Sequence, residues 1–108
     1  METKPPHPGQ VLEEKFLSPL GVTHAALARH VRVSEKTILE IVHGRRGITP
    51  RTAWLFAQAF GTEPEYWMQL QAAWALSKSE PKRMLPRLEK SVSQLPLLTL
   101  SPRARKTS

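Results

Sequence analysis

Positively charged side chains are in excess in two stretches of the chain, residues 24–51 and residues 80–108. Residues 24–51 contain two acidic residues, Glu35 and Glu40, and six basic ones: Arg29, Arg32, Lys36, Arg45, Arg46 and Arg51. Such an excess attracts a polyanionic surface, because counterions are released when the surface binds. Nucleic acid, an anionic membrane and an acidic protein all meet this description, so charge alone does not choose among them.

Residues that carry enzymatic or metal chemistry are sparse. The four histidines, His7, His24, His30 and His43, have no tight metal-ligand spacing and no clustered carboxylates beside them. No nucleophile, base and orienting group can be combined from the sequence. The chain has no cysteine for a disulfide or a thiolate site. We therefore expect no enzymatic activity, no metal and no cofactor.

Length and composition limit the class of protein. The chain has 108 residues, 40% of them hydrophobic, and a formal net charge of +7. This is enough for one small domain, and no apolar run reaches the roughly 18 residues of a membrane span. The start METKPPHPGQ lacks the basic and apolar regions of a signal peptide. These features favour a cytoplasmic protein that does not contact a membrane.

Two short helices are predicted in immediate succession within the basic stretch. Thr23 is a natural N-cap for AALARHV, and this helix is expected to end near Arg32. Ser34 then caps EKTILEIVH, and Gly44 supplies the left-handed residue at its end. Two capped helices joined by a turn of about three or four residues must cross steeply, which predicts a helix-turn-helix.

The second of these helices is predicted to have an inner and an outer face. Ile38, Ile41 and Val42 follow the i, i+3, i+4 spacing of a buried stripe. The helical period places on the other side Lys36, Glu40 and His43, with Glu35 and Leu39 at its edge and Thr37 near the first turn. A projecting helix fits the major groove of B-DNA, so we expect the outer face to meet base edges.

Further helices complete the prediction of an all-α, five-helix domain. The first covers QVLEEKFL after Pro8 and stops at the signal Pro19-Leu20-Gly21. The fourth begins at Thr49-Pro50 and ends at Gly61. Its buried face is predicted to consist of Ala53, Phe56, Ala57 and Phe60.

The fifth helix, EYWMQLQAAWAL, is predicted to follow a complete capping box, Thr62-Glu63-Pro64-Glu65. Trp67, Leu70 and Trp74 lie in line, while other apolar residues are spread around the rest of the helix. A helix that is apolar on more than one side needs more than one surface to bury against. The small core supplies one surface and a second copy of the chain supplies the other. We therefore predict Trp67, Leu70 and Trp74 as dimer contacts.

The chain divides into three predicted regions: an N-terminal arm at 1–7, a helix-turn-helix domain at 8–79 and a basic, proline-containing tail at 80–108. The composition of the tail is typical of a disordered segment outside the core. A second interpretation stays open, because Leu85, Leu88, Val92 and Leu95 recur at helical spacing. In that case a partner induces a short helix in the tail.

The spacing Thr23-His24-x-x-Leu27-Ala28, followed by Val33-Ser34-x-x-x-Ile38 and Gly44, resembles the Xre, or lambda-repressor-like, helix-turn-helix family. The segments HPGQVLEEKFLSPLGVT and EIVHGRRGITPRTAWLFAQAFGTEPEYWMQLQAAWAL, in that order, are similar to the HigA/VapI-type antitoxins. The resemblance covers roughly residues 7–77. Two positions depart from the family pattern, since Arg32 stands where the family usually has Gly and His24 where it usually has Gln.

The resemblance implies a homodimer that represses its own operon and neutralises a RelE-like toxin, an mRNA-cleaving ribonuclease. Its implied partners are double-stranded operator DNA, the toxin and a second copy of the chain. The residues that read bases map onto Glu35, Lys36, Thr37 and Glu40. The residues that hold phosphates map onto Thr23, His24, His43, Arg45 and Arg46. In that arrangement Lys36 donates to guanine, and Glu35 or Glu40 accepts from cytosine.

Other functions stay open at this point. The chain is chiefly a protein-interaction inhibitor if the toxin docks on the first helix or on residues 85–95 and DNA binding is secondary. It is an orphan transcriptional regulator if no toxin exists. RNA binding is disfavoured, because the narrow major groove of A-form RNA does not admit this helix.

Overall fold

The computed structural model describes residues 4–88, and within them the all-α, five-helix prediction is confirmed. Helix α1 runs over residues 8–20 in three contiguous stretches, Pro8–Val11, Leu12–Leu17 and Ser18–Leu20. The other helices are α2 (His24–Val31), α3 (Glu35–Val42), α4 (Pro50–Phe60) and α5 (Pro64–Lys78). Residues 80–88 follow the last helix as exposed chain, and most of the predicted 85–95 helix lies outside the described residues. None of the helices in residues 4–88 combines the length and the apolar character needed to cross a membrane.

Three of the helices begin with the side-chain caps that the sequence predicts. The Thr23 hydroxyl accepts a hydrogen bond from the Ala26 amide at 3.0 Å, and Ser34 accepts from Thr37 at 3.0 Å. Thr49 accepts from the Thr52 amide at 3.3 Å at the start of α4. Each bond satisfies an amide that has no partner inside its own helix. These caps fix where α2, α3 and α4 begin.

The turn between α2 and α3 is closed by a residue with positive φ that is not glycine. Arg32 has φ +62° and ψ +44°, in the left-handed region. The amides of Arg32 and Val33 both donate to the carbonyl of Ala28, the latter at 3.0 Å. The turn is therefore closed at the cost of placing a Cβ in a conformation that glycine adopts without strain.

Helix α1 runs three residues further than the predicted QVLEEKFL and stops within the predicted signal Pro19-Leu20-Gly21. The helix continues to Leu20 and ends at Gly21, where φ is +69°. Residues Leu12–Leu17 form a π-helical turn, and the Ser18 amide donates to the carbonyl of Glu13, five residues earlier. The wider turn relieves the clash that a proline ring normally makes with the preceding turn of an α-helix.

The capping box predicted for α5 is also wrong. Glu63 is the N-cap residue, and no side chain caps the helix. The hydroxyl of Thr62 instead accepts a hydrogen bond from the indole Nε1 of Trp67 at 2.8 Å. A buried indole N–H needs a partner, and this requirement takes priority over the local cap.

Trp67 and Phe56 lie at the centre of the core with no exposed surface. Their ring centroids are 5.1 Å apart, and Phe16, Phe60 and Tyr66 surround Trp67 at centroid distances of 5.1 to 6.2 Å. The prediction that Trp67 contacts a second chain is therefore corrected, because the domain itself buries this side chain completely. The first four helices and the loop before α4 contribute the rest of the core: Leu12, Leu17, Leu27, Ala28, Val31, Ile38, Ile41, Ile48 and Ala53.

Helix α1 touches the backbone of α3 directly at Gly9. A Cβ added to Gly9 would lie 1.7 Å from the carbonyl oxygen of Ile41 and 2.9 Å from the Cα of Val42. Neither atom belongs to a side chain that can rotate away, so glycine is the residue that fits. This contact fixes the position of α3 relative to the rest of the domain.

Candidate nucleic-acid interface

Helix α3 turns one face into the core and the other to solvent. Ile38 and Ile41 are 0% exposed, whereas the Lys36 side chain is 83% exposed. The outer face forms a shallow concave surface lined by Glu35, Lys36, Leu39, Glu40, His43 and Arg45. The structure thus brings together three of the four predicted base-reading residues and two of the predicted phosphate contacts.

Thr37, the fourth predicted base-reading residue, lies in the first turn of α3 and is half-buried. Its backbone amide donates to the Ser34 hydroxyl, and the two side-chain hydroxyls are 2.9 Å apart. The Thr37 side chain therefore takes part in the helix cap. A base contact by this hydroxyl would have to share it with Ser34.

Glu40 is held by the loop that follows α3. Its Oε1 accepts a hydrogen bond from Arg46 Nε at 2.8 Å and lies 2.6 Å from Arg46 Nη2. Its Oε2 lies 4.0 Å from Lys36 Nζ. The hydrogen bond from Arg46 is the main reason that the pKa of Glu40 lies below its ordinary value. The carboxylate is therefore ionised at neutral pH, and it partly neutralises the cations around it.

The loop from Arg45 to Thr49 is fixed by a contact from α5. Gln71 Oε1 accepts a hydrogen bond from the Ile48 amide at 2.7 Å, across 23 positions of the sequence. The same side chain packs against Gly47, where an added Cβ would lie 2.7 Å from Gln71 Oε1. The exposed Arg45 and Arg46 thus extend from a backbone that α5 holds in place. Nothing in the local sequence pattern identified Gln71 as part of this site.

The start of α2 carries the other predicted phosphate contacts, Thr23 and His24. The Thr23 hydroxyl is exposed and accepts from its own helix. His24 Nε2 lies 2.7 Å from Oε1 of Glu13 on α1, and both side chains are about one-third exposed, at 33% and 38%. Sequence reasoning missed Glu13, since its pairing with His24 depends on how α1 packs against α2. The carboxylate places a negative charge beside a predicted phosphate contact.

His7 is a structural residue, buried beside the end of α3. Its Nδ1 accepts from the Gly9 amide at 2.8 Å and begins α1 as the N-cap. Its ring meets Trp74 edge-on at a centroid distance of 4.6 Å and lies near Gly44. Burial lowers the pKa of His7 below its ordinary value of 6.5. The histidine is therefore neutral at physiological pH.

The remaining predicted dimer contacts, Leu70 and Trp74, are half-buried. The ring of Trp74 is partly covered by its own chain, because His7 lies against it and Lys78 Nζ is 5.7 Å from its centroid. Within residues 4–88, no three histidine, aspartate or glutamate side chains are grouped as metal ligands would be.

Sequence comparison places the chain among helix-turn-helix proteins. A model of the helix-turn-helix family matches residues 12–67. The chain is 40% identical over 74 residues to virulence-associated protein I of Dichelobacter nodosus, covering 68% of each chain. It is 34% identical over 70 residues to antitoxin HigA-1 of Vibrio cholerae serotype O1, covering 65% of this chain and 66% of that protein.

Structural comparison gives a similar result. The structure of the Pseudomonas aeruginosa antitoxin HigA with the higBA promoter aligns with a TM-score of 0.68 at 34% sequence identity. The alignment covers 79% of this chain and 100% of that antitoxin. The likeness therefore extends beyond the helix-turn-helix to the arrangement of the whole helical domain.

Proposed function

The chain belongs to the Xre, or lambda-repressor-like, helix-turn-helix family, among relatives of VapI and HigA, and we propose that it is a HigA-type antitoxin that binds its own operator DNA. The observation that carries this proposal is the solvent-exposed outer face of α3, with the Lys36 side chain 83% exposed and Arg45 and Arg46 beside it. Relatives of similar fold, including Pseudomonas aeruginosa HigA with its promoter, support the choice of DNA.

The proposed mechanism is occupancy of a palindromic operator by two copies of the chain. Each α3 enters a major groove, and the two grooves lie one DNA turn apart, about 34 Å. Lys36 and Glu35 face base edges, while Thr23, His24, His43 and Arg45 lie where phosphates pass. Bound protein blocks polymerase, so repression in the cytoplasm requires no enzymatic step.

Operator binding is tested with DNA from upstream of the protein's own gene. We expect footprinting to give two protected segments centred about 10 base pairs apart. We also expect affinity for this fragment to exceed that for a scrambled fragment of equal length by at least about 1,000-fold at physiological salt. Equal affinity for both fragments would contradict the proposal.

The second part of the proposal is neutralisation of a RelE-like, mRNA-cleaving toxin, supported by the similarity to antitoxins. The test is cell-free translation in the presence of a RelE-like protein encoded beside this gene. Adding the full chain should restore translation, and a chain lacking residues 80–108 shows whether the tail carries the contact. If no such protein binds, the chain is an orphan regulator, and the operator experiment still stands.

A further inference from the structure

One apolar side chain lies among the charged residues on the outer face of α3. Leu39 is the fifth residue of this helix, one turn after Glu35 and one turn before His43. It lines the shallow concave surface whose other five lining residues are charged or polar. The proposed DNA contacts, Lys36 and Glu35 to bases and Arg45 to phosphate, leave Leu39 without a role.

Leu39 does not contribute to the hydrophobic core. Ile38 and Ile41 on the same helix are completely buried, and Val42 packs against the core as a partly buried neighbour. Leu39 is half-buried, yet within residues 4–88 it is not one of the apolar side chains that pack against the buried core. Its exposed part faces the concave surface, so this apolar area stays in contact with water until a ligand covers it.

Base pairs present one methyl group in the major groove. Guanine presents N7 and O6, adenine presents N7 and its amino group, and cytosine presents its amino group, whereas thymine carries a C5 methyl group beside O4. A leucine pressed against a polar group would remove water from it without supplying a hydrogen bond, which is unfavourable. Against the thymine methyl group, apolar surface is buried on both sides. An exposed leucine on a recognition helix therefore favours thymine.

We propose that Leu39 is a specificity-determining residue that contacts the C5 methyl group of one thymine in each half-site of the operator. The inference rests on the proposed function, because it needs α3 to lie in the major groove. Lys36 and Glu35 precede Leu39 by three and four residues and therefore lie beside it on the helix surface. Lys36 suits guanine and Glu35 suits cytosine, so Leu39 supplies the preference for a T·A pair that these two charged side chains do not provide.

Two other side chains of this face have apolar parts that fit a methyl group less well. Thr37 carries a methyl group, but its hydroxyl lies 2.9 Å from that of Ser34, which holds the side chain in the helix cap. The stem of Lys36 is also apolar, but it belongs to an 83% exposed side chain that carries a charge at its end. The side chain of Leu39 is entirely apolar and lies within the concave surface.

The test removes the methyl group from the DNA. Uracil differs from thymine only in lacking this group, so each thymine of the upstream operator fragment is replaced in turn, with both half-sites changed together. At one position per half-site we expect the full chain to bind about 15-fold more weakly, which is about 4-fold for each buried methyl group. Leu39→Ala should bind the thymine operator more weakly and show no further loss when uracil stands at that position.

Three variants serve as controls. Thr37→Ser removes a methyl group from the same face and keeps the hydroxyl of the cap, while Leu20→Ala shortens a 62% exposed leucine at the end of α1. Both should distinguish thymine from uracil as well as the unchanged chain does. Leu39→Met keeps an apolar side chain of similar volume and should retain most of the discrimination. A purely structural role of Leu39 would lower affinity for the thymine and uracil operators equally.

Three results would overturn the inference: a specifically bound operator in which no change from thymine to uracil matters, a Leu39→Ala variant that still distinguishes the two bases, or loss of this discrimination in Thr37→Ser instead. Each of them leaves the proposed function standing, because the operator is still bound in preference to a scrambled fragment. If the upstream fragment is not preferred, the proposed function fails and the inference fails with it.

Discussion

Glu40 and Arg46 form a hydrogen-bonded ion pair, with Arg46 Nε donating to Glu40 Oε1 at 2.8 Å and Arg46 Nη2 lying 2.6 Å from the same oxygen. The pair closes the corner between α3 and the loop that follows it. It joins a predicted base-reading residue to a predicted phosphate contact, and either contact must compete with the pair. Glu40 is therefore best described as the residue that positions Arg46 and moderates the positive charge of this face.

Replacing Glu40 with Gln should increase affinity for DNA of any sequence. The change removes a negative charge and releases Arg46 for a phosphate, so the slope of log affinity against log salt should steepen by about one unit. The measurement is fluorescence anisotropy across a potassium chloride series, with Glu80→Gln as the charge-matched control. Unchanged binding to random DNA combined with lost discrimination at one base pair would show instead that Glu40 reads a base.

Replacing Lys36 or Arg45 with Ala should lower DNA affinity in two different ways. Losing Lys36 should cost about 1–3 kcal/mol on the operator and relax discrimination at one base position, because its contact is to a base edge. Losing Arg45 should weaken binding to all sequences and flatten the salt slope by about one unit. Gel-shift titrations on operator and random DNA distinguish the two patterns. Equal loss on both DNAs for Lys36→Ala removes this residue from base readout.

Gly9→Ala should destabilise the domain by about 1–3 kcal/mol or more, the usual cost of overpacking a core. The added methyl group would overlap the Ile41 carbonyl of α3, which cannot move without displacing the helix. Gly61→Ala is a suitable control: that glycine has φ +73° but nothing within 4 Å of an added Cβ, so the control carries only backbone strain. Urea unfolding compares the two, and an equal loss in both variants would argue against the steric explanation.

Arg32→Gly should stabilise the domain, by about 0.5–1 kcal/mol, although it shortens an exposed side chain. Arg32 has φ +62°, and glycine occupies this region without the strain of a Cβ. The same substitution at Arg29, inside α2, should have the opposite sign and cost about 1 kcal/mol. Thermal and urea unfolding of both variants check the prediction. A destabilised Arg32→Gly variant would mean that the Arg32 side chain contributes more than its backbone costs.

Stability should fall when the pH drops below the ordinary histidine pKa of 6.5, in part because of His7. Its pKa is lowered by burial in the folded chain, so the unfolded chain binds the proton more readily. The contribution is fully present above pH 6.5 and is lost as the pH falls through the folded-state value. His7→Asn keeps a capping side chain but does not titrate in this range. Unfolding between about pH 7.5 and about pH 5 should show a shallower decline in this variant; parallel curves would contradict it.

Local signals account for most of the fold. The caps Thr23, Ser34 and Thr49 could be predicted because each hydroxyl binds an amide only three residues further along the chain. Gly21 and Gly61 end helices for an equally local reason. The errors concern groups whose partners are set by tertiary packing. The Thr62 hydroxyl accepts a hydrogen bond from the Trp67 indole instead of capping α5. The π-turn of α1 could not be predicted from the spacing of apolar residues.

The sequence predicted which residues lie on the outer face of the candidate site, but it did not predict their ion-pair partners. Helical spacing placed Lys36 and Glu40 on the outer face, because the apolar stripe of α3 fixes the rotation of the helix. The partners of Glu40 and His24 depend on the path of a loop and on the packing of α1, which spacing does not encode. Trp67 shows the same limit, since an apolar position does not reveal whether its own domain or a second copy covers it.

If α3 reads the operator as proposed, the backbone contact between Gly9 and Ile41 constrains how this chain can change its target sequence. Because α1 rests against the main chain of α3, α3 cannot move toward α1 to suit a new operator without a steric clash. A new sequence preference must then come from substitutions of the outward-facing side chains of α3, while the backbone of the domain stays in place. Each such exchange alters what is read without disturbing how the domain is assembled.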